Sequence, residues 1–184
     1  MPTVFSHAAV PLALGLGLGR DAVPPRLLLA GVVASTVPDL DVLTFSWGVP
    51  YAAPLGHRGF SHSLLFAVAL ALLGAAAARA LRAPPVRTFA FLFVAGASHG
   101  ALDTLTTGGL GVALLWPWSD RRFFAPAALR VIAVSPLGLG FFSARGLTVL
   151  GSEVLWIWPI ALAVSLMLVG VRRLRPPRRP GGHA

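Results

Sequence analysis

The sequence predicts an all-α membrane protein, a polytopic helical bundle of about five spans with an additional re-entrant or interfacial segment. The 184 residues have a mean hydropathy of +0.79, and 56% of them are hydrophobic while only 11% are charged. Several apolar runs approach the roughly 20 residues that an α-helix needs to cross a bilayer. Because a span with its connection uses about 30 residues, we expect one domain over residues 1–171.

The first half of the chain predicts three helices separated by proline and glycine. The first covers residues 4–19. The second covers residues 26–37 and ends before Pro38, because proline disfavours helix at the residue that precedes it. Residues 44–59 contain Pro50, Pro54 and three glycines, so they predict a loop. A third helix is predicted over residues 61–81, with Ser61 as its N-cap.

The second half predicts two further helices around an irregular segment. A fourth helix covers residues 86–105, and the glycine pair that follows is a stop signal. Residues 110–145 contain only short apolar runs and predict re-entrant or interfacial structure. Residues 147–171 form the most apolar run and predict the last span. The basic tail, 172–184, is rich in proline and glycine and is expected to be disordered.

The basic residues predict the membrane topology. All fifteen are arginines, mostly at the ends of apolar runs. This pattern is typical of a topology signal, so we expect no nucleic-acid partner despite the formal charge of +9. With the C-terminus in the cytoplasm, alternation across five spans puts ten arginines inside and five outside. We therefore expect an integral inner (plasma) membrane protein in contact with the lipid bilayer.

Histidine and aspartate residues lie beside the predicted helix ends. His99 and Asp103 are spaced i, i+4, so their side chains project from one helix face. A carboxylate in an apolar helix is costly unless a partner compensates it, and a shared metal ion does so. The alternation directs all seven candidate ligands toward the extracytoplasmic face. They are His7, Asp39, Asp41, His57, His62, His99 and Asp103.

The chemistry of these ligands predicts the metal. The chain has no cysteine, and ligands of nitrogen and oxygen suit a divalent ion, with Zn favoured and Mn or Fe as alternatives. Seven ligands exceed what one tetrahedral ion uses, so we expect one or two ions. Asp39 or Asp41 is also a candidate general base. Arg58 is a candidate clamp for a phosphate group, with a snorkelling interface arginine as the alternative. Glu153 is a candidate extra ligand or proton acceptor, but a buried pair with Arg145 or a polar contact between helices is favoured over these roles.

Five motifs carry a family resemblance. They are FSHAAV, PDLD, HRGFSHSLL, SHGALDTLTTGG and LLWPWS, in this order between His7 and Ser119. They resemble the YdjM-like family of inner-membrane, metal-dependent hydrolases. The resemblance implies an α-helical membrane hydrolase whose metal site contains the seven residues above. His99-x-x-x-Asp103 is also similar to a zinc-ligand pattern of the zinc-dependent phospholipase C and single-strand nuclease superfamily, which implies a phosphodiester or lipid substrate.

We expect a membrane-embedded metal-dependent hydrolase, a phosphoesterase that uses metal-activated water on a lipid or another membrane-associated phosphoester. An ion or proton carrier is the alternative, in which the intramembrane His and Asp residues form a transport path. A carrier should distribute polar residues through both halves of the membrane, often in repeats, whereas here they cluster toward one face. A non-catalytic scaffold whose basic tail recruits anionic lipids is a third alternative.

Overall fold

The structure, a computed structural model, describes residues 2–136 and 138–174. Within these ranges the regular structure is helical, which confirms the all-α prediction, and the only sheet-like pairs are two isolated β-bridges. Between α6 and α7 the chain is mostly irregular. The α-helices are α1 (Val4–His7), α2 (Ala9–Leu18), α3 (Pro25–Thr36), α4 (Leu64–Ala76), α5 (Ala78–Leu81), α6 (Pro85–Thr104), α7 (Ala144–Trp156) and α8 (Trp158–Leu174).

The segment after α3 differs from the prediction. The chain continues as a 3-10 helix, Val37–Trp47, so the loop predicted from residue 44 begins later than expected. Pro38 lies in the first turn of this 3-10 helix, where its missing N–H has no helical partner to lose. The 3-10 helix therefore carries Asp39 and Asp41 on regular backbone instead of in a loose turn.

The start of the third predicted helix is also different. α4 begins at Leu64, and its N-cap is Ser63, whose Oγ accepts a hydrogen bond from the N–H of Phe66 at 3.1 Å. The prediction of Ser61 as N-cap was wrong. Ser61 lies in a preceding 3-10 turn, Phe60–His62, and its hydroxyl is used elsewhere.

The other helices follow the predicted order. α6 lies within one residue of the predicted helix at each end. The predicted last span is present as α7 and α8, and α8 continues to Leu174, through three residues that were assigned to the tail. The remaining tail residues, 175–184, lie outside the described residues.

Five spans are not confirmed. Two helical stretches, Pro25–Trp47 and Ala144–Leu174, are long and apolar enough to cross a membrane. α2 and α4 have 10 and 13 residues, which give about 15 and 20 Å of helix against a hydrocarbon core of about 30 Å. α6 has 20 residues and is therefore long enough to span the core. It includes charged side chains, however, so it is not apolar enough.

α6 forms the centre of the bundle. It packs against α4 and α3, while α2 packs against α8. The apolar core between α3, α4 and α6 includes Leu27, Ala71 and Leu92. Large apolar side chains also face outward, as Leu73 and Ile160 do at 70% and 63% exposure, and such surfaces suit contact with lipid. The C-terminal ends of α3 and α6 meet the short helix α1 and the turn before α4 at one end of this bundle.

Candidate metal centre

The seven predicted residues converge at this end of the bundle. All are buried, with exposed fractions between 0 and 7%. Two groups have ligand atoms within 4.8 Å of one another, and they share His62. The tetrad consists of Asp39, His62, His99 and Asp103, and the triad consists of Asp41, His57 and His62.

The two histidines of the tetrad point nitrogen at nitrogen. His99 Nδ1 lies 2.7 Å from the carbonyl oxygen of Ser35. A carbonyl only accepts, so Nδ1 carries the proton and Nε2 of neutral His99 presents its lone pair. That Nε2 lies 2.9 Å from His62 Nε2 and 3.4 Å from Asp39 Oδ1. His62 Nε2 lies 3.2 Å from Asp103 Oδ2. Two imidazole nitrogens and two carboxylates therefore converge on the same point of the site.

The carboxylates of the tetrad have no hydrogen-bond donors. Among the described residues, none of the four oxygens of Asp39 and Asp103 accepts a hydrogen bond, although all are buried. Buried carboxylates without donors are costly unless a cation compensates them. Two such carboxylates beside two imidazole nitrogens fit a divalent metal ion of the N/O-preferring class.

Asp41 has a different environment from Asp39. Its Oδ1 lies 2.6 Å from His57 Nδ1. Its Oδ2 accepts hydrogen bonds from the Ser61 hydroxyl at 2.7 Å and the Arg58 N–H at 3.1 Å, and it lies 3.1 Å from His62 Nδ1. Both oxygens are therefore engaged, and Asp41 orients two imidazole rings in the way that carboxylates behind metal-bound histidines do.

His7 lies against the tetrad as a neighbouring ring. It stacks on His99 with 3.7 Å between ring centroids and 18° between planes. Its Nε2 is 3.7 Å from Asp39 and 3.8 Å from Asp103, and neither ring nitrogen has a hydrogen-bond partner among the described residues. His7 is thus placed as a further donor, more distant than the tetrad members.

Glu153 fixes the helix that carries His7. Its carboxylate accepts hydrogen bonds from the hydroxyls of Thr3 at 2.6 Å and Ser6 at 2.8 Å, and from the Thr3 N–H. Of the two favoured roles for Glu153, the polar contact between helices is the one observed. The contact joins α7 to the start of α1.

Arg58 is buried and paired within the site. It is 1% exposed, so the alternative of a snorkelling interface arginine was wrong. Its Nε lies 3.1 Å from Asp103 Oδ2, so the two side chains form an ion pair, but the N–H does not point at the oxygen and no hydrogen bond forms. Its Nη1 donates to Thr106 Oγ1 at 3.0 Å and to the Gly108 carbonyl at 3.2 Å, while Nη2 has no partner within the described chain. Its backbone has a φ of 61°, in the left-handed region that non-glycine residues seldom adopt.

The charges of the site do not balance within the protein. Three buried aspartates face one buried arginine, which leaves two negative charges when the histidines are neutral. One divalent ion would carry the compensating charge, whereas two would leave an excess. Burial alone would lower the pKa of His62, which lies in the turn before α4. The nearby carboxylates of Asp103, Asp39 and Asp41 outweigh this effect and raise that pKa well above its usual value.

Comparison with known proteins decides the family. A family model described as YdjM inner membrane protein matches residues 1–175. The chain belongs to the YdjM inner membrane protein family. Over 175 residues, this YdjM family protein is 49% identical to inner membrane protein YbcI of Escherichia coli (strain K12), which covers 94% of this chain and 100% of that protein. No solved structure matches it. The resemblance seen between His7 and Ser119 is therefore confirmed, and it extends through α8.

Arg122 is a residue of this YdjM family protein that the sequence did not single out. Its Nη1 donates to the carbonyls of His57 at 3.1 Å and Arg58 at 3.3 Å, and its Nη2 donates to those of Tyr51 and Ala53, both at 3.3 Å. Partial burial lowers the pKa of Arg122. The guanidinium therefore fastens the loop that carries His57 and Arg58. Its acceptors are backbone atoms more than 60 residues away, and no side-chain pattern signals them.

Proposed function

We propose that this protein is a membrane-embedded hydrolase that holds one divalent metal ion and acts on a phosphoester. The observation that carries the proposal is the incompletely compensated charge of the tetrad: among the described residues, four buried carboxylate oxygens accept no hydrogen bond beside two converging imidazoles, and Arg58 is the one buried arginine near them. Zn is the favoured ion, because two nitrogen and two carboxylate ligands suit it, and Mn or Fe accept the same ligands. The residues that would hold the ion are His62, His99, Asp39 and Asp103.

One ion is proposed rather than two because the two ligand groups share His62. A two-metal centre places its ions about 3.5–4 Å apart, and one neutral imidazole supplies only one free lone pair. His62 Nδ1 faces Asp41 while Nε2 faces the tetrad. The triad of Asp41, His57 and His62 therefore supports the tetrad instead of forming a second site.

A divalent ion held by these four residues would need a further coordination position for water; there it would supply a nucleophile near neutral pH and stabilise the charge that develops on a phosphoryl oxygen. The surrounding residues have separate roles. Asp41 holds the orientation of His62, and the Asp41–His57 pair, joined at 2.6 Å, is placed to accept a proton as a general base. Arg58 neutralises part of the carboxylate charge, and its Nη2, which has no partner in the described chain, is available for a substrate oxygen.

The family places the protein in the inner membrane, and we propose that the metal centre lies toward the extracytoplasmic face with the C-terminus in the cytoplasm. The ends of α1, α3, α4 and α6 that form the centre lie on one side of the bundle, and the arginines of the predicted inner loops lie at the opposite ends of these helices. This distribution agrees with the preference for arginine in cytoplasmic loops.

The distribution of buried polar groups favours the hydrolase over the carrier. In α6, the buried polar side chains at the site end are His99 and Asp103, and the one nearer its N-terminus is Thr88. A transport path needs ionisable groups through both halves of the membrane. Within α6, the buried ionisable groups, His99 and Asp103, lie in the C-terminal half, and Arg87 in the other half is exposed.

The test uses the full chain purified in phosphatidylcholine nanodiscs. Metal content is measured by elemental analysis, and release of phosphate or headgroup is followed for phospholipids and for a water-soluble aryl phosphodiester. We expect bound metal and hydrolysis in the wild type, loss of both in H99A/D103N, and retention of both in D21N, which changes an exposed aspartate. Hydrolysis that persists after complete metal removal, or ion flux without hydrolysis of either ester, would overturn the proposal.

A further inference from the structure

A cavity of about 470 Å³ borders the metal centre at Asp39. It lies between the N-terminal part of α1, the 3-10 helix Val37–Trp47 and the segment around Pro136. The walls are mainly apolar, with Phe5, Leu40, Val42 and Phe141 among them. Phe5 and Leu40 are each 60% exposed, so they border an opening at the outer surface of the bundle. We call this space the Asp39 cavity.

Asp39 connects the Asp39 cavity to the tetrad. Asp39 lines the cavity, and its buried carboxylate, which has no hydrogen-bond donor in the described chain, lies 3.4 Å from His99 Nε2. A second cavity of about 490 Å³, between α2, the end of α6 and α7–α8, is lined by none of the seven cluster residues. The Asp39 cavity is therefore the one of these two that borders a residue of the tetrad.

The polar side chains of the Asp39 cavity have no free protons to offer a ligand. The Thr3 hydroxyl donates to Glu153, the Thr36 hydroxyl to a carbonyl of its own helix, and the Ser135 hydroxyl to the carbonyl of Pro136. A sugar or nucleobase would bury polar groups without partners here, which is costly. A hydrocarbon chain has no polar groups that would stay unpaired against these walls, and its transfer from water into the cavity is favourable.

We infer that the Asp39 cavity binds the hydrocarbon chain of an amphiphilic, anionic phosphoester whose head group reaches the tetrad at Asp39. The inference rests on the proposed function for the identity of the head group, and on the lining of the cavity for the chain. The cavity volume falls within the range of about 300–1,000 Å³ that is typical of small-ligand sites. Because the opening is bordered by exposed apolar side chains, the chain enters sideways, from the lipid phase.

The test is photo-labelling with a long-chain alkyl phosphate that carries a diazirine near the chain terminus, using the metal-loaded full chain in phosphatidylcholine nanodiscs. We expect labelled peptides around Phe5, Leu40 and Phe141. L40W fills the opening and should lower labelling there about tenfold, since excluding about two methylenes has this effect. L73W is the matched control, because Leu73 is an exposed leucine on α4, and it should leave labelling unchanged.

Metal content is measured on each variant, so that loss of labelling is separated from loss of the fold. If L40W loses its metal, F141A, which enlarges the cavity without touching the tetrad, takes its place and should shift the labelled positions. Labelling spread evenly over α4 and α8, or equal in L40W and L73W with metal retained, would overturn the inference. Labelling requires no turnover: a protein that labels as expected but hydrolyses no ester refutes the proposed function alone, and one that hydrolyses a soluble ester without labelling refutes the cavity alone.

Discussion

The Nε2 atoms of His62 and His99 lie 2.9 Å apart, while Nδ1 of His99 lies 2.7 Å from the carbonyl oxygen of Ser35. The Ser35 carbonyl fixes the proton of His99 on the far side of the ring, so the near nitrogen is a lone pair. Two lone pairs at this distance repel each other unless a proton or a metal ion lies between them. In the absence of metal, His62 must therefore supply a proton, and this agrees with its raised pKa.

Metal binding should release this proton. Below the raised pKa of His62 the metal-free protein holds the proton, and the ion must displace it, so apparent metal affinity should rise with pH and level off above that pKa. We expect close to one proton released per ion. Calorimetric titration of the metal in buffers with different ionisation enthalpies measures this number. No proton release, together with a pH-independent affinity, would show that His62 is not a ligand.

Asp41 and Asp103 should differ in their effect on metal binding. Asp41 contacts His57 and His62 without facing the tetrad, so D41N should keep one ion and weaken its affinity about 10–100-fold, as loss of outer-shell partners does. D103N removes a ligand and should lose the ion at the same metal concentration. Competition with a fluorescent chelator measures both affinities, and D21N, at an exposed site, is the control. Equal losses in D41N and D103N would contradict the assigned positioning role.

Gly100 allows α6 to approach the backbone of the turn that carries His62. A Cβ at this position would lie 2.7 Å from the His62 carbonyl oxygen and 2.9 Å from Leu114 Cδ2. G100A should therefore push this turn away, destabilise the protein by about 1–3 kcal/mol and weaken metal binding. Thermal unfolding with and without metal measures both effects. G151A is the control, since nothing lies within 4 Å of its added Cβ; a G100A variant that behaves like G151A would contradict the close packing of α6.

Arg122 should matter for turnover more than for metal content. R122K keeps the charge but cannot donate to four carbonyls at once, so the loop with His57 and Arg58 should lose its fixed position. We expect wild-type metal stoichiometry and a kcat lower by about 100-fold, the scale of a small misplacement in a catalytic site. R121K, at the exposed neighbouring arginine, is the control. Unchanged kcat in R122K would show that the loop is held by other contacts.

The sequence predicted the helices and the membership of the cluster because both depend on side-chain pattern. Apolar runs bounded by proline and glycine located α3 and α6 closely, and isolated histidines and aspartates beside helix ends indicated the cluster. The different roles of Asp39 and Asp41 were not predictable. The two residues belong to one PDLD motif, and only their positions on the 3-10 helix determine which side chains each of them contacts. The contacts of His99 with the Ser35 carbonyl and of Arg122 with four carbonyls were not predictable either, because every residue has a backbone carbonyl whatever its side chain.

The predicted count of five spans is the main point that the structure does not confirm. Mean hydropathy describes the chain as a whole, whereas crossing a membrane needs length and apolar character in the same helix. α2 and α4 are apolar but too short. α6 is long enough, but it contains the polar residues His99 and Asp103. The same polar residues that form the site thus lower the apolar character of the helix that holds them.

The measurement that tests the central claim most directly is the number of metal ions per chain, determined by elemental analysis of the full protein purified without chelators. Three buried aspartates against one buried arginine, with His62 shared between the two ligand groups, predict one divalent ion. Two ions per chain would contradict the charge balance. None, in a protein that stays folded and gains no stability from added Zn, Mn or Fe, would contradict the metal centre itself.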